Sequence, residues 1–146
     1  MTLLGTHPTS PLIGVPDLNI LKAYDGRIYM GHGEWNGYHV IVVACYNPAT
    51  HAIESEHVAP TDSIGIFREL GGKLYIPSTD PVHYDEFGDY CVLDRGIWKN
   101  FAPAGLFHAF DMATLTGSDL WMVGSKSDSE TSTRRPAVFR SVDGGR

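Results

Sequence analysis

The sequence predicts an all-β chain in which one four-stranded antiparallel unit is written three times. Three observations carry that reading. A run of small, polar, aliphatic, aromatic and aliphatic residues recurs as Gly26-Arg27-Ile28-Tyr29-Met30, Gly72-Lys73-Leu74-Tyr75-Ile76 and Ser118-Asp119-Leu120-Trp121-Met122, placing Tyr29, Tyr75 and Trp121 at intervals of 46 residues. Alternating apolar pairs precede each run in register: Leu18 and Ile20, Ile64 and Ile66, Phe110 and Met112. Turn chemistry follows each unit's third apolar stretch, as Asn47-Pro48-Ala49-Thr50, Asp94-Arg95-Gly96 and Asp143-Gly144-Gly145. Four short strands in a period of about 40–50 residues mark a β-propeller blade. No stretch carries the 3.6-residue periodicity a helical repeat would need.

Residues 1–16 form a lead-in. Pro8, Pro11 and Pro16 oppose both a helix and a central strand, although Leu12-Ile13-Gly14-Val15 suits an edge strand. Blade one spans 17–60. Its first strand carries Leu18 and Ile20, Asp25-Gly26 supplies the positive-φ turn, residues 27–31 and 42–46 make the next strands, and 52–57 the fourth. Blade two spans 61–104, with strands at Ile64 and Ile66, 72–77, 90–93 and 97–101. Blade three spans 105–146, with strands around Phe110 and Met112, 118–123 and 137–140, and its fourth strand missing. Cys45 and Cys91, also 46 apart, are expected at one place in two adjacent third strands, as separate buried thiols.

At 146 residues, with 11% aromatic residues and a net charge of −6, the chain is expected to be globular and acidic. Arg134-Arg135 is the one basic doublet, which excludes nucleic acid as the main partner. No run of 18 apolar residues offers a membrane span, and no positive flank marks a signal peptide. Nothing in the chain selects between a virion and the cytoplasm.

The loops joining second to third strands are long and differ between units, unlike the tight turns expected at the opposite end, so recognition is expected there. Trp35, Tyr38, Tyr84 and Phe87 offer flat apolar faces; Glu34, Asn36, Asp80, Asp85 and Glu86 offer acceptors, with His83 among them. Aromatic platforms edged by carboxylates suit a sugar, whose C–H face stacks while its hydroxyls donate. The ligand-binding candidates are therefore Glu34, Trp35, Asn36, Tyr38, Asp80, His83, Tyr84 and Asp85. The competing account packs Trp35 and Tyr38 between blades and leaves the acids solvated. Catalysis by a glycosidase would need a carboxylate pair about 5–10 Å apart, which Glu34, Asp80, Asp85 and Glu86 could supply; no catalytic residue is assigned. The histidines lack metal-ligand spacing; Asp80 with His83 and Asp85, and His32 with Glu34, are the best local groups. No cofactor is expected, with Ca²⁺ on acidic loops the one exception weighed.

Ser141-Val142-Asp143-Gly144-Gly145-Arg146 resembles the opening of the Asp-box, Ser-x-Asp-x-Gly-x-x-Trp, of sialidase-like propellers. In that family the box is a structural turn between third and fourth strands, where the repeat puts it here. The resemblance implies fold rather than chemistry; the arginine trio and Arg-Ile-Pro segment of active sialidases are not recognisable. The chain also resembles propeller domains of bacteriophage tail proteins through Asp25-Gly26-Arg27-Ile28-Tyr29, the Gly31 to Asn36 stretch and Tyr46-Asn47-Pro48-Ala49-Thr50. That likeness implies a virion-associated binding part.

A closed propeller takes at least four blades, so three imply completion, either by missing blades of a longer chain or by a second copy in a homodimer of six blades. The expected function is a non-catalytic binding or structural module contacting glycan or protein. A sialidase-like glycoside hydrolase and a purely structural self-assembling fragment are the alternatives.

Overall fold

The computed structural model describes residues 2–8, 18–33, 40–80, 88–127 and 133–143, and these contain strands and no helix. The strands are β1 (Leu18–Tyr24), β2 (Arg27–His32), β3 (Ile41–Asn47), β4 (Ala52–Ala59), β5 (Arg68–Leu70), β6 (Lys73–Pro77), β7 (Tyr90–Asp94), β8 (Ile97–Phe101), β9 (Leu106–Ala113), β10 (Leu120–Ser127) and β11 (Arg134–Ser141). They form three open antiparallel sheets in simple meander order: sheet 1 (β1–β4), sheet 2 (β5–β8) and sheet 3 (β9–β11).

Tight turns set the hairpins. Asp25 and Gly26, Gly71 and Gly72, and Arg95 and Gly96 all have positive φ, the conformation that a two-residue hairpin turn demands at both positions. The third of the expected tight first-to-second turns is instead a six-residue loop, 114–119. Asp119 organises it: Oδ1 accepts from Leu115 N (3.0 Å), Thr116 N (2.9 Å) and the Thr114 and Thr116 hydroxyls, while Oδ2 accepts from Trp121 Nε1 (2.7 Å). Those donors, led by the Thr116 amide, hold its carboxyl well below the usual carboxylate range.

The sheets stack face to face with sheet 2 in the middle. One apolar cluster joins sheets 1 and 2 through Tyr29, Val43, Cys45, Leu74, Ile76 and Cys91. A second joins sheets 2 and 3 through Tyr75, Tyr90, Val92, Leu106, Met112 and Met122. Covered on both faces, β6 and β7 are buried almost throughout, whereas β1 and β11 alternate between half-buried and exposed. Each junction repeats a cation on the first strand of one sheet and an acid on the next: Lys22 Nζ donates to Glu69 (2.9 Å), and Arg68 donates two bonds to Asp111 (2.7 and 2.8 Å).

Two expectations change. Ile64 and Ile66 do not open a strand. Ile64 N donates to His32 O (2.8 Å) and Ser63 bridges Gly33, so the segment closes onto sheet 1 and β5 begins only at Arg68. The cysteines are buried and free but not equivalent: Cys45 pairs with Tyr29, whereas Cys91 pairs with Ile76, one residue out of step. That offset turns both thiols toward the same cluster from facing sheets. Residues 2–8 lie along the outer face of sheet 1, where His7 sits edge-on to His32 with ring centroids 4.3 Å apart, and the expected edge strand at 12–15 lies outside the described residues.

Candidate functional site

The β2–β3, β6–β7 and β10–β11 connections leave the sheets at one end, and a polar seam runs across it. The Asp80 carbonyl accepts from Thr61 Oγ1 (3.0 Å) and Asp62 N (3.2 Å). Ser78 N donates to Asp89 O (3.2 Å), its hydroxyl donates to the Asp89 carboxylate, and its carbonyl accepts from Ala109 N (2.9 Å). Close approach at this seam demands glycine: a Cβ at Gly88 would collide with the Phe107 carbonyl, and one at Gly124 with that of His108.

On this end Asp80, His108 and Ser125 form a hydrogen-bonded chain. His108 on β9 and Ser125 on β10 are cross-strand partners, and the Ser125 hydroxyl lies 3.0 Å from His108 Nδ1. His108 Nε2 lies 2.9 Å from Asp80 Oδ1. Burial pulls the imidazole below its ordinary pKa; the Asp80 hydrogen bond and charge oppose that shift, and Arg134 adds to it. A neutral ring at pH 7 then donates from Nε2 to Asp80 and accepts at Nδ1 from Ser125. A pocket of about 570 Å³ opens beside the chain, lined by His108, Ser125, Arg134, Arg135, Phe110 and Val138 among others. Arg134 lies over the Phe107 ring, 4.0 Å from its centroid.

The order serine, histidine, aspartate is that of a nucleophile, its base and an orienting acid. Acyl transfer also needs N–H donors aimed at an oxyanion. Ser125 is buried on β10, the middle strand of sheet 3, whose backbone groups are engaged in ladders on both sides. Beside the hydrogen-bonded chain, the exposed guanidinium groups of Arg134 and Arg135 offer donors and Phe110 an exposed apolar face.

Of the ligand-binding candidates read from sequence, Asp80 is the one the structure describes, and it lies in this chain. Glu34, Trp35, Asn36, Tyr38, His83, Tyr84 and Asp85 lie outside the described residues. His108 and Ser125 were not singled out as a pair. No sequence signal marks the pair, because the hairpin begins with Trp121 opposite Ala113 and a register shift between Val123 and Gly124 is what brings His108 opposite Ser125.

A second polar node lies between sheets 1 and 2. Glu56 accepts from Arg27, Tyr29 Oη (3.0 Å), Cys45 Sγ (3.3 Å) and Trp98 Nε1 (3.1 Å), beside a cleft of about 380 Å³. Cys45, Glu54 and Glu56 bring ligand atoms within 4.8 Å of one another, the one such group among the described residues. The node nevertheless reads as a structural tie. The Arg27 guanidinium already neutralises Glu56, and burial pushes the Cys45 thiol up, keeping it a donor rather than a thiolate ligand. Burial likewise pushes the Tyr29 phenol to about 12.

Comparison with protein-family models and with curated proteins finds no match to this chain.

Proposed function

We propose that this chain is a non-catalytic binding module, three blades of a β-propeller, whose loop end takes a hydroxyl-rich ligand such as a glycan. The observation that carries the reading is the Asp80–His108–Ser125 chain at the mouth of an open pocket carrying Arg134, Arg135 and Phe110. Mixed donors, an acceptor and an aromatic face together are what a sugar's hydroxyls and C–H face require. The propeller arrangement is favoured by the stacking order, because Tyr29 and Tyr75 each sit in the cluster shared with the following sheet. The likeness to phage tail propellers favours a place in a virion or surface assembly, with protein as the other ligand class.

A glycan array tests this directly. The intact chain should retain a defined set of glycans, and His108→Ala and Asp80→Ala should lose them while keeping the wild-type melting transition. Retention unchanged in both variants, or no glycan held at all, overturns the reading. The alternative, a sialidase-like glycoside hydrolase, needs a carboxylate pair, to which Asp80 would belong. Turnover of a fluorogenic glycoside that disappears in Asp80→Ala would replace binding with catalysis.

A further inference from the structure

Residues 2–8 reach the loop end of the molecule through a buried pair of histidines. From the contacts that continue from that pair, we infer that this segment is a pH-sensitive strap. Docked, it holds the end of β2 and, through the crossing segment 61–64, keeps Asp80 in place; a charge on His7 releases it. As a control of ligand binding the device rests on the proposed glycan site, whereas its hold on Asp80 belongs to the fold alone.

The contacts form one continuous path. His7 is 4% exposed and His32 0%, with their rings edge-on at 4.3 Å. His32 ends β2, yet among the described residues the β2–β3 ladder stops earlier, at Met30 opposite Ala44. Positions 31–33 are held by other means. His32 pairs with Leu18 at the start of β1, its carbonyl accepts from Ile64 N (2.8 Å), and Gly33 bridges Ser63. The fit leaves no slack, since a Cβ at Gly31 would strike the Ile64 carbonyl and one at Gly33 the Ser63 side chain. The same crossing segment then reaches sheet 2. Thr61, fully buried, gives its hydroxyl to the Asp80 carbonyl (3.0 Å), and Asp62 N donates to that oxygen (3.2 Å). The Asp80 carboxylate in turn meets His108 Nε2 at 2.9 Å.

The docked strap disfavours a proton. Burial, with the neighbouring ring, lowers His7 from 6.5 to about 4, and burial lowers His32 as well, opposed by a hydrogen bond with the Val42 backbone. The elements packed here bring few other charges. Within 2–8, His7 is the one titratable side chain, and the crossing segment brings Asp62 beside Gly33. β1, β2 and β4 turn theirs elsewhere: Lys22 to Glu69, Arg27 to Glu56, Glu54 to Asn47, and His57 onto Trp98. The free segment therefore takes the proton first. Docking is complete above about pH 6.5 and weakens as pH falls to about 4, by about 300-fold in all from His7. Once the strap leaves, the end of β2 has no β3 ladder to keep it, and the 61–64 tie opens with it.

Acid also reaches His108 in the site itself, so the decisive test is made at pH 7 with a charge built in. The full 146-residue chain carries His7→Lys, or His7→Met as an uncharged control of similar length. Amide exchange is followed at Asp62 and Ile64, whose N–H groups go to the Asp80 and His32 carbonyls. His7→Lys should open residues 2–8 to thermolysin and speed exchange at both amides by about tenfold or more, leaving the β6–β7 ladder unchanged. His7→Met should do neither, and at pH 5 it should keep more of the protection than the wild type does. Where glycans are retained, His7→Lys should retain fewer at pH 7. A segment that stays docked in His7→Lys, or one that leaves while Asp62 and Ile64 stay protected, overturns the inference and leaves the glycan site standing. Equal glycan retention by His7→Lys and wild type overturns the strap's control of binding. Faster exchange at both amides in a chain that holds no glycan supports the strap and overturns the glycan site instead.

Discussion

Single side chains that face another sheet matter more here than those that decorate the surface. Glu56 is the clearest case, with 14% of its side chain exposed and donors from β2, β3 and β8 converging on it. Glu56→Ala strands the Arg27, Tyr29 and Trp98 donors in a half-buried site and should cost about 3 kcal/mol, read as a lower urea midpoint at unchanged slope. Glu56→Gln keeps one acceptor oxygen and should lose less. His7 behaves differently because its energetics depend on pH. Burial, with the neighbouring His32, lowers its pKa from 6.5 to about 4. The detached segment therefore takes up a proton before the docked one does. Docking is at full strength above about pH 6.5 and is lost as pH falls through about 4. Limited proteolysis within residues 2–8 should accelerate across that window, and His7→Leu should reduce the pH dependence to the part the buried His32 contributes, since burial lowers its pKa too.

Among elements, the β9–β10 hairpin is the most demanding. Both its strands contribute to the candidate site, and Gly124 sits at a register shift where its backbone passes the His108 carbonyl. Gly124→Ala forces those strands apart and should cost about 2 kcal/mol, with exchange protection lost first at His108 and Ser125. Glycan binding should fall with it if the proposed site is correct, whereas Gly26→Ala, with open space around its Cβ, strains only the turn. Elements of this kind differ in how far their sequence announces them. The strands containing Tyr29, Tyr75 and Trp121 were legible because period-2 alternation and turn glycines agree locally. Ile64 and Ile66 alternate just as well, yet Ile64 gives its amide to His32 and Ser63 bridges Gly33, tertiary contacts that periodicity does not encode. The repeat implies a tight turn at 114–119, but Ser118 stands where the other units have Gly26 and Gly72, and Asp119 instead collects donors from residues on its own loop. The polar chain at His108 could be found only after the register of that hairpin was fixed.

At the scale of the whole molecule, the outward face of sheet 3 is the counterpart of faces that sheets 1 and 2 bury. Trp121 occupies the position of Tyr29 and Tyr75, but its neighbour is Arg140 over its ring at 4.9 Å rather than another sheet. Beside it Phe110 is 50% exposed, Val123 46% and Val138 68%. The far face of sheet 1 exposes Leu21, Ile28 and Val58 around the strip covered by residues 2–8. Two such faces on opposite ends of one stack favour head-to-tail contact, and two copies related by a two-fold axis would satisfy all four faces at once. That contact covers Phe110, Val123 and Val138 of the proposed pocket, so dimer formation and glycan retention should exclude each other. Light scattering should then give a mass twice the 16.0 kDa of the chain at high concentration, falling on dilution. Val138→Glu on sheet 3 and Leu21→Glu on sheet 1 should each yield monomers, because either change spoils both contacts of the closed pair. Mixing the two variants should restore a dimer of half the contact, since each then offers one intact face to the other. Monomers from Val138→Glu alone, with Leu21→Glu still dimeric, would mean that sheet 3 meets its own copy and that the head-to-tail pairing is wrong.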